Sequence, residues 1–227
     1  MINKILLGCG AVSSALYVIS DVIAARRYDG YSYSDQWFSE LTAEGAPTRP
    51  LMIVINGIPY TALMTAFAMG IWKTAGQNRA QRLTAALLGG YAAAGIAGGV
   101  GFPMATRDAE ASLRNIMHIP STMVMSLCIL AAMGTASRLF GNRFRYYSYN
   151  TIAAAIAFGV LTSTQAGKIS KNQPTPWAGI EERVNIYATM LWLAMLSIGL
   201  LRALRPTDSR TAEKPAVTAL PMHGLPQ

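Results

Sequence analysis

Six long apolar blocks separated by short polar segments dominate this sequence of 227 residues. An α-helix needs about 20 mostly apolar residues to cross the hydrocarbon core of a membrane, and nearly all of these blocks reach that length. Only 13% of the residues are charged, against about 25% in a soluble domain. The sequence therefore predicts an all-α, polytopic bundle of six transmembrane helices, with spans at about residues 5–24, 50–72, 83–105, 116–140, 151–167 and 184–204.

The chain is expected to form one transmembrane domain over residues 1–205, because no second set of elements and no clear internal repeat is visible. The residues after Arg205-Pro206 are polar and include several prolines. Such a composition does not bury enough apolar surface to order the chain. Residues 206–227 are therefore predicted to be a disordered polar tail.

The formal charge of +8 is explained by membrane topology and requires no nucleic-acid partner. Cytoplasmic loops of membrane proteins carry the excess of Lys and Arg. With the N-terminus in the cytoplasm, the inner loops and the tail hold most of the basic residues, and nine of the eleven acidic residues lie at the outer ends of the spans. We therefore expect a multi-pass protein of the plasma (inner) membrane with both termini in the cytoplasm.

The first outer loop is predicted to contain a short interfacial helix that covers a polar pocket. Ser34 is suited to cap its N-terminus. Trp37, Phe38 and Leu41 then share one face, as in an amphipathic helix at a membrane surface. Pro50 fits the first turn of the second span.

Prolines and glycines predict local breaks in the spans. Pro59 follows Asn56 within the second span, and a proline inside a helix removes a backbone hydrogen bond and kinks the helix. In the third span the Gly95-x-x-x-Gly99 pattern favours close helix packing. Pro59, Pro103 and Pro120 all fall in the outer half, where irregular backbone indicates a buried or hydrated cavity.

Polar and ionisable residues gather at the outer ends of the spans, and such residues inside a membrane mark candidate functional sites. Asp21 is the first of them, near the end of the first span, where it either serves a site or pairs with Arg26 or Arg27. The candidate ligand-binding residues are Asp21, Ser39, Glu40, Asn56, Arg114, His118, Glu182 and Arg183.

Metal and cofactor sites are not predicted. A catalytic zinc site needs three protein ligands, and the membrane domain contains one histidine, His118. The glycines of the third span lie inside an apolar helix, where no phosphate-binding turn is expected. The inner halves of the spans carry few polar residues, which argues against a continuous channel.

Enzymatic arrangements stay open at this stage. Ser39, His118 and a carboxylate contain the groups of a nucleophilic relay, although no Gly-x-Ser-x-Gly turn marks Ser39 as a nucleophile. Glu40 and Glu182 are suited to acid–base chemistry if they lie close together.

Short motifs at the outer ends resemble a known family of prokaryotic membrane proteins. They are Gly30-Tyr31-Ser32, Ser39-Glu40-Leu41, His118 and Gly179-Ile180-Glu181-Glu182-Arg183. In order and spacing they are similar to the family gathered as domain of unknown function 998, over about residues 5–205. The resemblance implies a multi-span helical bundle in the plasma membrane without an agreed activity. It also implies that the recurring polar residues of the family map onto Ser39, Glu40, His118, Glu182 and Arg183.

Three functions are consistent with the sequence. In the first, Glu40 and Glu182 pair with Arg114 and Arg183. His118 then contacts a membrane lipid headgroup or a small polar ligand, and a phosphate would suit the planar fork of arginine. In the second, the protein is an intramembrane lipid hydrolase or transferase with His118 as general base and Glu40 or Glu182 as its partner. In the third, the polar cluster only holds the helices together in a structural or partner-binding protein.

Overall fold

The computed structural model describes residues 1–107, 109–110 and 112–204. These residues are almost entirely helical and form no β-strand within the described ranges. Six helical segments are long and apolar enough to cross a membrane, which confirms the predicted fold class. The spans, numbered one to six, are Ile2–Arg27, Arg49–Thr74, Arg79–Gly101, Leu113–Ala136, Asn142–Ile169 and Ala178–Ala203.

The spans run alternately up and down, and each packs against the next in the chain. Span one also packs against span six, which closes the bundle. Across its centre, the Tyr60 hydroxyl of span two lies 3.7 Å from the sulfur of Met190 in span six. Apolar residues from spans one, two, three, four and six fill the interior, among them the fully buried Phe67, Leu88 and Trp192. Burial of this apolar surface within the bundle holds the spans side by side.

The alternation places loops one, three and five at one end of the bundle, which we call the loop end. They comprise residues 28–48, 102–112 and 170–177. At the opposite end lie the two chain ends of the bundle and loops two and four, residues 75–78 and 137–141; we call this the basic end. The predicted tail, 206–227, lies outside the described residues.

Loop one contains the expected short helix, but the helix differs from the prediction. It is a 3-10 helix over Phe38–Thr42, so it begins later than a helix capped by Ser34. The side chains of Phe38 and Leu41 are buried against Ala24 and Met52. The apolar face of loop one therefore packs onto the bundle, around Ala24 and Met52.

Two spans contain a π-helical turn near the loop end. In span two, π-turn Ile53–Gly57 precedes the α-helix Ile58–Thr74. Pro59 is thus accommodated in the first turn of a helix, where its missing N–H is tolerated, instead of kinking an α-helix. Span three ends in π-turn Ala97–Gly101. Such turns are uncommon and often occur at functional sites.

The tight contact between spans three and four uses a glycine next to the predicted pair. A Cβ atom placed on Gly98 would lie 3.3 Å from the Cβ of Ser121 in span four, whereas one on Gly99 would meet nothing within 4 Å. Span six, with 39% of its apolar window buried, is more enclosed than span three at 33%.

Candidate functional site at the loop end

The most deeply buried charges of the loop end are Asp21 in span one and Arg183 in span six. The guanidinium binds the carboxylate through two parallel hydrogen bonds, from Nε to Oδ2 and from Nη2 to Oδ1, each 2.9 Å long. The exposed fractions of the two side chains are 3% for the arginine and 0% for the aspartate. The sequence placed both residues in the site but offered Arg26 or Arg27 as partners of Asp21, and that pairing is wrong.

Tyrosines enclose this ion pair and satisfy its remaining hydrogen-bonding groups. The hydroxyls of Tyr33 and Tyr187 both donate to Oδ2 of Asp21. Arg183 donates from Nη2 to the Tyr31 hydroxyl at 2.8 Å, and the guanidinium lies 3.7 Å from the centre of the Tyr33 ring. Burial raises the pKa of Tyr31, so that this hydroxyl stays protonated and donates in turn to backbone oxygens of loop one.

Arg183 also fixes loop one on the first turn of span six. Its Nη1 donates to the backbone oxygens of Tyr33 and Gln36, at 2.9 and 3.1 Å. The amide of Ile180 donates to the oxygen of Ser34. The loop can approach this closely because position 179 is glycine: a Cβ atom there would lie 2.5 Å from the oxygen of Tyr33 and would overlap the oxygen of Gln36.

A second ion pair joins loops one and three, between Glu40 and Arg107. Nε and Nη2 of the arginine donate to the two carboxylate oxygens, both at 2.8 Å. The same guanidinium reaches loop five through the backbone oxygen of Gln173 and the hydroxyl of Thr175. Sequence reasoning missed Arg107, because a loop arginine outside the spans has no pattern that distinguishes it from a solvated charge.

Asp35 ties loop one to loop five at the exposed surface. Its carboxylate accepts hydrogen bonds from the backbone N–H of Trp177, at 3.1 Å, and from the hydroxyl of Ser32, at 2.9 Å. These hydrogen bonds lower the pKa of Asp35 from its ordinary value, the Trp177 amide having the larger effect. Trp177 itself has a left-handed backbone with φ of 68°, which is uncommon for a residue other than glycine.

The carboxylate of Glu182 is held by a serine, whereas those of Asp21 and Glu40 bind arginines. Oε1 accepts a hydrogen bond of 2.7 Å from the hydroxyl of Ser39, and Oε2 accepts a longer one from the amide of the same residue. Within the described residues Glu182 makes no ion pair closer than 4 Å. Ser39 and Glu182 were both predicted site residues, and the structure brings them together.

Arg114 and His118 cap the end of span three, where backbone oxygens lack partners within the helix. Arg114 donates to the oxygen of Gly101 at 2.9 Å and forms an exposed ion pair with Glu44. Nδ1 of His118 lies 2.8 Å from the oxygen of Phe102 and 3.2 Å from that of Gly98. A cation at this position suits the negative end of the helix dipole. The shared face of Arg114 and His118 is thus directed at span three.

The predicted pairing of these groups therefore needs correction. Glu40 binds Arg107 and not Arg114, and the partner of Arg183 is Asp21. His118 makes its hydrogen bonds with backbone oxygens, so among the described residues none joins it to Glu40 or Glu182. The arrangement expected for an enzyme, a histidine paired with one of these carboxylates, is not formed.

Asn56 lies below the network and joins spans one and two. Its Nδ2 donates to the hydroxyl of Ser20, which donates to the oxygen of Tyr17 within span one. Above the network, two open depressions adjoin Arg107 and Gln36 on the surface of the loop end. The first is completed by Asp35, Pro174, Thr175 and Pro176, and the second by Tyr28, Glu40, Ala43, Thr106 and Asn172.

Comparison with known proteins places this chain in a family. The model of the family described as "Protein of unknown function (DUF998)" matches residues 11–199, from within span one to near the end of span six, and this range contains the residues of the loop-end network. No curated protein and no solved structure matches the chain. The match extends over most of the sequence and agrees with the resemblance carried by the motifs of loop one and span six. The chain therefore belongs to the DUF998 family of proteins of unknown function.

Proposed function

We propose that this is a multi-pass plasma-membrane protein with both termini in the cytoplasm, and that it binds a lipid headgroup or a small polar ligand at the loop end. The orientation follows the full-sequence count, in which eleven of the nineteen Lys and Arg residues fall on the proposed cytoplasmic side, where such residues accumulate. The binding role rests on Glu182 of span six, which accepts hydrogen bonds from Ser39 and forms no ion pair with a described residue.

Glu182 supports the proposal because its surroundings differ from those of its neighbours. Asp21, Glu40 and Glu44 each have an arginine as partner. Glu182 is half-buried, accepts two hydrogen bonds from Ser39 and forms no ion pair with a described residue. Placing a carboxylate in a membrane bundle without a cation costs free energy. We therefore expect the carboxylate of Glu182 to take part in binding.

The carboxylate of Glu182 can accept more hydrogen bonds than Ser39 donates to it. This spare acceptor capacity favours a ligand that donates hydrogen bonds or carries positive charge. An ionised carboxylate accepts hydrogen bonds and donates none. The adjacent Glu181 has a buried Oε2 atom with no partner in the described part of the chain. An ammonium or hydroxyl group would complement the carboxylate of Glu182, whereas a bare phosphate would be repelled. We therefore favour an amine- or hydroxyl-bearing headgroup over an anionic one at this end.

Mass spectrometry of molecules that remain bound after gentle purification tests this function. We expect Glu182→Gln and Ser39→Ala to lower the amount of the retained ligand at least tenfold, since the first removes the charge of the acceptor and the second removes the hydroxyl that holds the acceptor in place. Glu44→Gln is the matched control: it removes a carboxylate of the same loop end whose ion pair is exposed, and it should retain the ligand. Equal retention by all three variants would contradict the proposal.

A structural role is the second candidate, and the saturation of the network favours it. The Asp21–Arg183 and Glu40–Arg107 pairs together join span one, span six and loops one, three and five. If the network serves only this purpose, Glu182→Gln will lower stability without the loss of any bound molecule. The enzymatic alternative lacks a comparable observation, because His118 is engaged with span three.

A further inference from the structure

The basic end carries essentially all of the net charge of the described chain. At the loop end the described residues include eight basic and eight acidic side chains, so that their formal charges cancel. At the basic end they include eight basic side chains and no Asp or Glu. The described part of the chain is therefore neutral at one end and strongly cationic at the other.

These eight cations are exposed and unneutralised. Six of them flank loops two and four: Lys73, Arg79 and Arg82 around the first, and Arg138, Arg143 and Arg145 around the second. The other two, Lys4 and Arg202, lie where spans one and six reach the basic end. All eight are solvent-exposed, and none forms an ion pair with a described residue.

Helix stability does not account for their positions. Arg79 and Arg82 lie in the first turn of span three, and Arg143 and Arg145 lie in the first turn of span five. The N-terminus of a helix carries partial positive charge, so a cation there is unfavourable. Four of the eight basic residues thus stand where the helix itself would prefer an acid. In addition to the membrane orientation that these residues favour, their placement therefore suits an anionic partner outside the chain.

Exposed aromatic side chains show the depth at which this partner lies. Trp72 is 52% exposed, and the guanidinium of Arg82 lies 5.6 Å from its ring centre. Tyr146, next to Arg145, is 68% exposed. Tryptophan and tyrosine at the ends of transmembrane helices occupy the headgroup zone of the bilayer. The cations beside them are therefore at the level of lipid phosphates.

We propose that the basic end binds anionic phospholipids, with the cluster of Lys73, Arg79 and Arg82 forming one headgroup site beside Trp72. Basic residues at the ends of neighbouring transmembrane helices recognise anionic headgroups, each contributing through its proximity to the charged surface. A nucleic acid would also satisfy the charge, but it would not explain the exposed aromatics beside the cations. This site is independent of the ligand proposed at the loop end.

The test uses the full chain in nanodiscs of equal parts phosphatidylglycerol and phosphatidylcholine, with retained lipids counted by native mass spectrometry. The variant is Arg79→Gln/Arg82→Gln, and the matched control is Arg26→Gln/Arg27→Gln, which removes two exposed arginines from the loop end. We expect the variant to lower the preference for phosphatidylglycerol by up to about 30-fold, as about 1 kcal/mol for each basic residue would give. We expect the control to keep it.

Stability separates binding from a structural role. In a neutral detergent the double variant should unfold at the same or a higher temperature, because it relieves unfavourable charges at a helix N-terminus. The inference is overturned if the phosphatidylglycerol preference is unchanged, or if both double variants lower it equally, which would indicate a response to net charge alone. It is also overturned if the variant binds an added DNA duplex more weakly than the wild type does, while its lipid preference stays constant.

Discussion

Replacing Asp21 with asparagine tests the energetic importance of the loop-end network. The substitution keeps the size of the side chain and removes its charge. Arginine stays ionised at all accessible pH values, so Arg183 would remain as a buried cation. Arg183 donates one hydrogen bond to each carboxylate oxygen of Asp21. In the variant, an amide NH2 group replaces one of these oxygens, so one N–H of Arg183 would face another donor.

The expected loss in the free energy of unfolding is about 3–5 kcal/mol, the range for breaking a buried ion pair by removing one partner. The exposed fractions of 0% and 3% support the upper part of this range. Glu44→Gln is the control with the same chemistry at the surface, because its pair with Arg114 is 44% and 49% exposed. Exposed pairs contribute about 0–1 kcal/mol, so this variant should be close to the wild type.

Titration with SDS in mixed micelles, followed by far-ultraviolet circular dichroism, measures both variants on one scale. A double-mutant cycle with Arg183→Gln should give a coupling of about 2 kcal/mol or more, since the two residues share their hydrogen bonds. A loss below about 1 kcal/mol for Asp21→Asn, or equal losses for Asp21→Asn and Glu44→Gln, would refute the argument from burial.

Three further predictions concern the docking of loops. Gly179→Ala should lower the free energy of unfolding by about 1–3 kcal/mol, because the added Cβ atom would press on backbone oxygens of loop one. Gly167→Ala is the control. Its position has open space around it, so this variant should not be destabilised in the same titration. The lowered pKa of Asp35 makes its contribution to stability present above the unfolded value of about 3.9 and lost as the pH falls through the folded value. Asp35→Asn should therefore flatten the dependence of thermal unfolding on pH below about pH 5, and an unchanged profile would contradict the hydrogen bond from Trp177. His118→Ala should lower stability, by removing a cap of span three, without loss of bound ligand; selective loss of ligand from a stable variant would instead assign His118 to the binding site.

Much of the fold could be predicted because the bilayer imposes it. Six apolar blocks of membrane-spanning length leave few alternatives to six helices, and alternation then fixes which loops share an end. The same reasoning brought Asp21 and Arg183 to one end of the bundle although 162 positions separate them. Span ends were harder to predict: span six begins at Ala178, so Glu181 lies in its first turn and Glu182 follows directly after that turn.

The pairing of the site residues depends on side-chain direction, which spacing does not determine. Glu40 had several arginines within plausible reach, and Arg107 was selected only because loop three folds across loops one and five. His118 and Arg114 both contact backbone oxygens at the end of span three, and their spacing in the sequence does not show that contact. A one-dimensional pattern shows which residues share a face and leaves open what that face contacts.

The central claim is that loops one, three and five lie together on one side of the membrane, opposite the basic end. Cysteine accessibility tests it directly in a chain without Cys9 and Cys128. Single cysteines at the exposed positions Asp29, Lys171 and Gln77 would report on loop one, loop five and the basic end. We predict that a membrane-impermeant thiol reagent labels Asp29→Cys and Lys171→Cys in intact cells, and Gln77→Cys only after permeabilisation. Labelling of Asp29→Cys and Lys171→Cys from opposite sides would contradict the account.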